Sequence, residues 1–136
     1  MNMYLFLFVF LGLILYYRMK QSTIHHVYGR IAVTPKQKER GLMFRKHPLK
    51  RNEGMLFHMG HKINTMWMKH TFIPLDIIFL SKDMKVNGYI EDAKPLSLKT
   101  LSINKPSTYV IEMNGNSISS LNIRIGDRII FHKIER

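Results

Sequence analysis

The chain has 136 residues, with 21 Lys and Arg against 9 Asp and Glu, a net charge of +12 and no cysteine. That length suits one domain with a modest core, and the lack of cysteine excludes disulfides, thiolate metal ligands and thiol nucleophiles. The basic surplus suits an anionic lipid surface, nucleic acid or an acidic protein partner. Its tightest groups, "FRKHPLKR" and "FHKIER", fall short of the dense run or aromatic-studded sheet of a nucleic-acid reader, so a solvated basic surface is expected and specific nucleic-acid recognition is not.

Residues 1–17, MNMYLFLFVFLGLILYY, carry no charged side chain, and every Lys, Arg, Asp and Glu lies from Arg18 onward. This predicts a single-pass transmembrane helix over residues 1–18, although a run of this length rises only about 25 Å against a hydrocarbon core of roughly 30 Å. No Lys or Arg precedes the run and "YYRMKQS" lacks a small-x-small site, which favours an uncleaved anchor over a signal peptide. A helix apolar all round is also hard to bury in a domain this small. Arg18, Lys20 and Arg30 follow the run, and this bias places the remaining domain on the cytoplasmic side.

Residues 19–24 read as a linker and residues 25–136 as one β-rich domain. In "VYGRIAV", Val27, Gly29, Ile31 and Val33 alternate with Tyr28, Arg30 and Ala32 as a half-buried strand would. "TPKQKERG" then predicts a short helix with Thr34 as N-cap, Pro35 at its first position and Gly41 as its C-terminal cap. "GMLFHM", "TMWMKHTF", "PLDIIFLS", "KVNGYIED", "TYVIEM" and "DRIIFHKI" read as strands, "SKDMK" as a turn that leaves Asn87-Gly88 inside a strand as a bulge, and "NSISSLN" as one helical turn. Strands outnumber helices and no long helix alternates with them. The fold class is therefore mainly β, a small antiparallel barrel or sandwich with one or two short helices.

Strand alternation through "TMWMKHT" points Met66, Met68 and His70 one way and Thr65, Trp67, Lys69 and Thr71 the other. The second face would set an aromatic plane beside an ammonium group, able to stack on a ring and pair with an anion. Asp76 falls on the side of Ile78 and Leu80, where an unpaired carboxylate is costly, so Lys69 or Arg45 is its expected partner. His58 and His61 lie three apart, with His70 and several methionines nearby, a weak set of metal candidates. The methionines suit gap-filling in a core better, and no metal or other cofactor is expected. The chain has no P-loop, dinucleotide fingerprint, "GxSxG" or "HExxH", so no catalytic residue is assigned.

"TPKQKERGLMFRKHPLKRNEGMLF", "WMKHTFIPLDIIFL" and "RIGDRIIF" together resemble the domain-of-unknown-function family 192, small single-domain proteins, many made with an N-terminal signal or anchor. The resemblance runs from about residue 27 to 133 and implies a compact β-rich domain without an established activity. It marks Gly41, Met43, Arg45, Glu53, Gly54, Trp67, Met68, Lys69, Thr71, Pro74, Asp76, Gly126 and Asp127, and expects asparagine where this chain has His70. It also implies an exported location, against the cytoplasmic side favoured by charge. The functional expectation is a membrane-anchored binding or interaction domain with a ligand site around Arg45, Glu53, Trp67, Lys69 and Asp76. A structural component of a membrane-lined assembly such as a virion and an uncharacterised enzyme are the alternatives.

Overall fold

The computed structural model describes residues 2–135, so Met1 of the expected anchor and Arg136 of the expected domain lie outside it. The elements run α1 (Met3–Lys20), β1 (Ile24–Ala32), α2 (Pro35–Arg40), β2 (Glu53–Ile63), β3 (Leu75–Leu80), β4 (Val86–Ala93), β5 (Pro106–Asn114), α3 (Ser117–Leu121) and β6 (Arg128–Lys133). The domain is a β-rich α+β fold built on one six-stranded sheet in the order β4-β3-β5-β2-β1-β6.

The sheet is mixed, where the sequence predicts an antiparallel one. β1 pairs in parallel with both β2 and β6, and the remaining neighbours are antiparallel. Parallel neighbours need a long crossover, and α2 with residues 41–52 supplies it between β1 and β2. The sheet curls into a half-barrel whose edge strands meet at one corner. There Lys85 bridges Arg128, Val86 N–H donates to the Asp127 carbonyl at 2.8 Å and Ile129 N–H to the Met84 carbonyl at 2.9 Å.

Both faces of the sheet are covered. Phe57, Ile77, Phe79 and Val110 pack with Leu42, Leu49, Met66, Met68 and Ile73 on one side. On the other, Val27, Leu56, Ile78, Leu80, Ile111, Met113 and Ile129 close around Ile118 of α3. Every residue of β3 is consequently buried, which is why "LDIIFL" reads as a continuous apolar run instead of an alternating one. Each large side chain so enclosed contributes roughly 1.5 to 3 kcal/mol of burial free energy.

Gly29 of β1 stands opposite Gly54 of β2. A methyl group at Gly29 would overlap the Gly54 carbonyl, so this parallel pair closes only without side chains. Turn chemistry follows the sequence closely. Ser81 and Lys85 close the β3–β4 turn, and the pairing steps from Phe79–Gly88 to Leu80–Val86, leaving Asn87 as the extra residue of a bulge. In β1, Val27 and Gly29 are buried as alternation predicts, but Ala32 is buried and Val33 exposed. The chain turns there into α2, so period-2 sorting stops applying.

"TMWMKHTF" is not a strand. It has one isolated bridge, Met66–Leu101, with further backbone bonds such as Met68 N–H to the Ser97 carbonyl at 3.2 Å, and ends in a turn at Lys69 and His70. His70 sits at φ +52°, the left-handed region that ends an extended run and favours asparagine. α1 is capped by Asn2, whose side chain accepts from Tyr4 N–H, and its described side chains are all exposed. Among the described residues no helix is long and apolar enough to cross a membrane, in contrast to the expected transmembrane helix over residues 1–18. Asn2 at one end and Arg18 at the other bound the apolar run to about 25 Å, short of a hydrocarbon core.

Candidate binding pocket

The pocket is built on the exit from α2. Thr34 and Gln37 form a reciprocal capping box, which fixes the start of a helix too short to hold itself. Gly41 ends it at φ +46°, a conformation open to glycine at little cost. A Cβ at Gly41 would stand 3.2 Å from the Phe57 ring and 3.3 Å from Glu112 Oε2. The bare glycine thus lets the chain pass directly over β2 and β5. Opposite, residues 65–67 form the second wall, and between the two lies a pocket of about 350 Å³ lined by α2, Leu42, Met43, Met59, Met66, Trp67 and Glu112.

Glu112 is the feature that sequence reading missed. It lies in the middle of β5, paired with Met55 and Ile77, and is only 4% exposed. Burial pushes its carboxyl up to about 8, with the Leu42 backbone N–H opposing that rise. Its Oε2 is enclosed and has no hydrogen-bond partner among the described residues. Near neutral pH it is therefore a carboxylic acid, able to donate as well as accept. The readable signal was an acid set among "YVIEM", four apolar or aromatic neighbours with no basic residue beside it.

Of the residues expected at the site, Trp67 and Lys69 come together. The Lys69 ammonium lies 5.1 Å from the centre of the Trp67 ring, a cation–π contact, and Trp67 lines the pocket with 41% of its surface exposed. Met66 and Met68 are buried, as alternation predicts, though the edge of Met66 also lines the pocket; His70 is exposed, stacked on Phe44 at 5.2 Å. Thr71 is buried, not outward, and its hydroxyl donates to the Lys69 carbonyl at 3.2 Å, tightening the turn.

The other three candidates hold the chain in place elsewhere. Asp76 pairs with neither Lys69 nor Arg45. Fully buried, it accepts backbone N–H groups from Asp92 at 2.8 Å, Asn116 at 3.2 Å and Ile118 at 2.8 Å. Three N–H donors solvate the carboxylate without a counter-ion. Arg45 donates to the His47 carbonyl at 2.8 Å and bridges its own loop. Glu53 accepts from Lys50 N–H at 2.8 Å at the start of β2.

The weak metal candidates are dispersed in role. His58 is exposed and stacks on Tyr109, His61 is exposed, and His70 stacks on Phe44. Among the described residues no three His, Asp or Glu side chains gather as a metal site. Asp127, marked by the family resemblance, closes the base of the domain. It accepts from Thr23 N–H and Arg124 N–H at 2.9 Å each and contacts His25 Nε2 at 2.8 Å. Burial alone would raise its carboxyl, but these donors together hold it below its ordinary value.

Residues 17–131 match the family model of DUF192, described as Uncharacterized ACR. The chain belongs to this family. The DUF192 match takes in Gly41, Trp67, Lys69, Asp76 and Glu112, and begins in the last turn of α1, leaving most of that helix outside it. Two crystal structures are similar to it. A candidate transcription regulator from Sinorhizobium meliloti 1021 is 36% identical, with 74% of this chain and 78% of that chain covered and a TM-score of 0.71. A protein of unknown function from Novosphingobium aromaticivorans DSM 12444 is 37% identical, with 74% and 71% covered and a TM-score of 0.70. No curated protein matches the chain.

Proposed function

We propose that this DUF192 domain binds a small ligand in the pocket between α2 and Trp67 and is held at a lipid surface by α1. The observation that carries the first part is the convergence in one concavity of a half-exposed tryptophan, three thioethers and a buried, incompletely hydrogen-bonded acid. A mostly apolar cleft with a few convergent polar groups and a perturbed acid is the usual form of a ligand site. Residues that serve only a core would close on Glu112 and leave no cavity.

The second part rests on α1, whose exposed Leu, Phe, Val, Ile and Tyr side chains surround the helix. Insertion into lipid removes that surface from water, and the basic domain that follows is drawn to an anionic headgroup layer. The basic residues are spread along the sequence instead of being gathered on one element, which favours this diffuse attraction over reading of nucleic acid.

Both parts are open to test on the full-length chain. Flotation with phosphatidylglycerol-containing vesicles should carry the intact chain upward and leave a variant lacking residues 2–20 below, and co-sedimentation of neither with lipid overturns the tether. For the pocket, amide shifts of Gly41, Leu42 and Trp67 in micelles should respond to members of a diverse fragment set. A set that leaves all three unmoved overturns the binding-site reading.

A further inference from the structure

We propose that the pocket selects compact organic anions carrying an uncharged hydroxyl or carbonyl group in addition to the charge, a proposal that rests on the reading of this pocket as the binding site. Polarity is distributed unevenly across the cavity. Its basic residues, Lys38 and Arg40, both belong to α2, and Lys69 stands over Trp67 on the facing segment. Glu39 is the acid they share that edge with. Glu112 lies beneath Gly41, the residue that caps α2, with Oε2 unpartnered.

A ligand's anionic group is attracted to the α2 edge, where the ammonium and guanidinium groups outnumber the one carboxylate. Its body lies along Met59, Met66 and the Trp67 ring, surfaces that exchange water for dispersion contact. A small rotation of the Glu112 carboxyl brings its enclosed Oε2 to the cavity it lines, where the ligand's hydroxyl or carbonyl oxygen accepts the acid proton. That contact supplies the partner which the folded chain leaves missing, so it discriminates strongly: a buried polar group rejects analogues that cannot pair with it. An amine of the same shape meets the basic edge first and requires an ionised carboxylate in apolar surroundings, which burial opposes.

Trp67 is the chain's one tryptophan, so its emission reports on this pocket directly. Full-length protein in nonionic micelles is titrated at pH 7 with three probes transparent at the excitation wavelength: 4-hydroxycyclohexanecarboxylate, cyclohexanecarboxylate and 4-aminocyclohexanol. The hydroxy acid should bind roughly tenfold more tightly than the acid lacking the hydroxyl, the value of one hydrogen bond to a buried group, and the amine should leave the emission unchanged. Glu112→Leu should erase the difference between the two acids, while Lys38→Ala with Arg40→Ala should weaken both equally, circular dichroism confirming that each variant folds. Equal affinity for the two acids, or preference for the amine, overturns the proposed ligand class while leaving the pocket as a site. Silence toward all three probes, together with unmoved Gly41, Leu42 and Trp67 amides in the fragment set, overturns the class and the site together.

Discussion

Replacing Glu112 with glutamine changes one atom and removes a proton equilibrium. Folding raises the carboxyl of Glu112 from 4.5 to about 8 because burial penalises its charged form. Between those values the folded chain keeps a proton that the unfolded chain has lost. The folded state thus binds more protons, and stability falls as pH rises through that window, levelling below it and above it. At about 1.4 kcal/mol per pH unit, the whole descent amounts to roughly 5 kcal/mol. Glu112→Gln abolishes this descent, at a pH-independent cost of about 1 to 3 kcal/mol if its amide donor stays unpaired where Oε2 has no partner. Urea unfolding of both full-length proteins in nonionic micelles, followed by circular dichroism from pH 5 to 9, separates the two effects. The variant should be the less stable at pH 5 and gain steadily on the wild type until about pH 8. Parallel profiles would refute the argument, since they would mean that Glu112 titrates alike in both states.

Asp76→Asn sets an amide donor among three backbone donors and should cost roughly 3 to 5 kcal/mol in the same urea assay, loosening α3 first. Asp127 is held low by Thr23, His25 and Arg124, so its contribution is present above the ordinary carboxylate value and lost as pH falls through its lower folded value. Asp127→Asn should therefore flatten the acid limb of the stability profile below the ordinary carboxylate value and leave the alkaline limb unchanged. Met68→Ala empties a fully buried site and should cost roughly 2 to 5 kcal/mol, whereas Trp67→Ala, on the open wall, should move the thermal midpoint little.

Elements with strong local signals were legible in the sequence. Thr34, Pro35 and Gly41 bracket α2 because capping is decided within a few residues, and the Asn87 bulge follows from the lengths available to β3 and β4. The parallel pairings of β1 were not, because its partners lie far along the chain and the pattern of one strand does not state its neighbour's direction. Alternation sorted Met66, Trp67 and Met68 correctly although no strand forms there. An extended segment lying on a core has the same period of two, and its bridge to Leu101 with the bond to Ser97 holds it in that orientation. It failed from His70 on because a single left-handed residue reverses the chain. Asp76 was rightly expected to need compensation, but a counter-charge was sought where backbone donors do the work. Those donors come from residues 92, 116 and 118, whose approach only the folded topology reveals.

Two buried acids on neighbouring strands show how the fold separates architecture from a site. Asp76 of β3 and Glu112 of β5 are one pairing step apart, since Asp76 faces Met113 and Ile77 faces Glu112, so their side chains leave the sheet on opposite sides. On Asp76's side α3 delivers its first N–H groups to the carboxylate, and the group is complete. On Glu112's side the chain arrives as Gly41, Leu42 and the open wall of Trp67, bringing one backbone donor and a cavity. An acid with a full set of donors stabilises the fold and has nothing left to offer a ligand. An acid left short of them costs stability, and a buried polar group without its partner calls for an explanation beyond packing. Valine or leucine at position 112 would fill the same strand at no such cost. On the proposed reading, a ligand completes that hydrogen bonding from outside the chain, through the pocket beside Gly41.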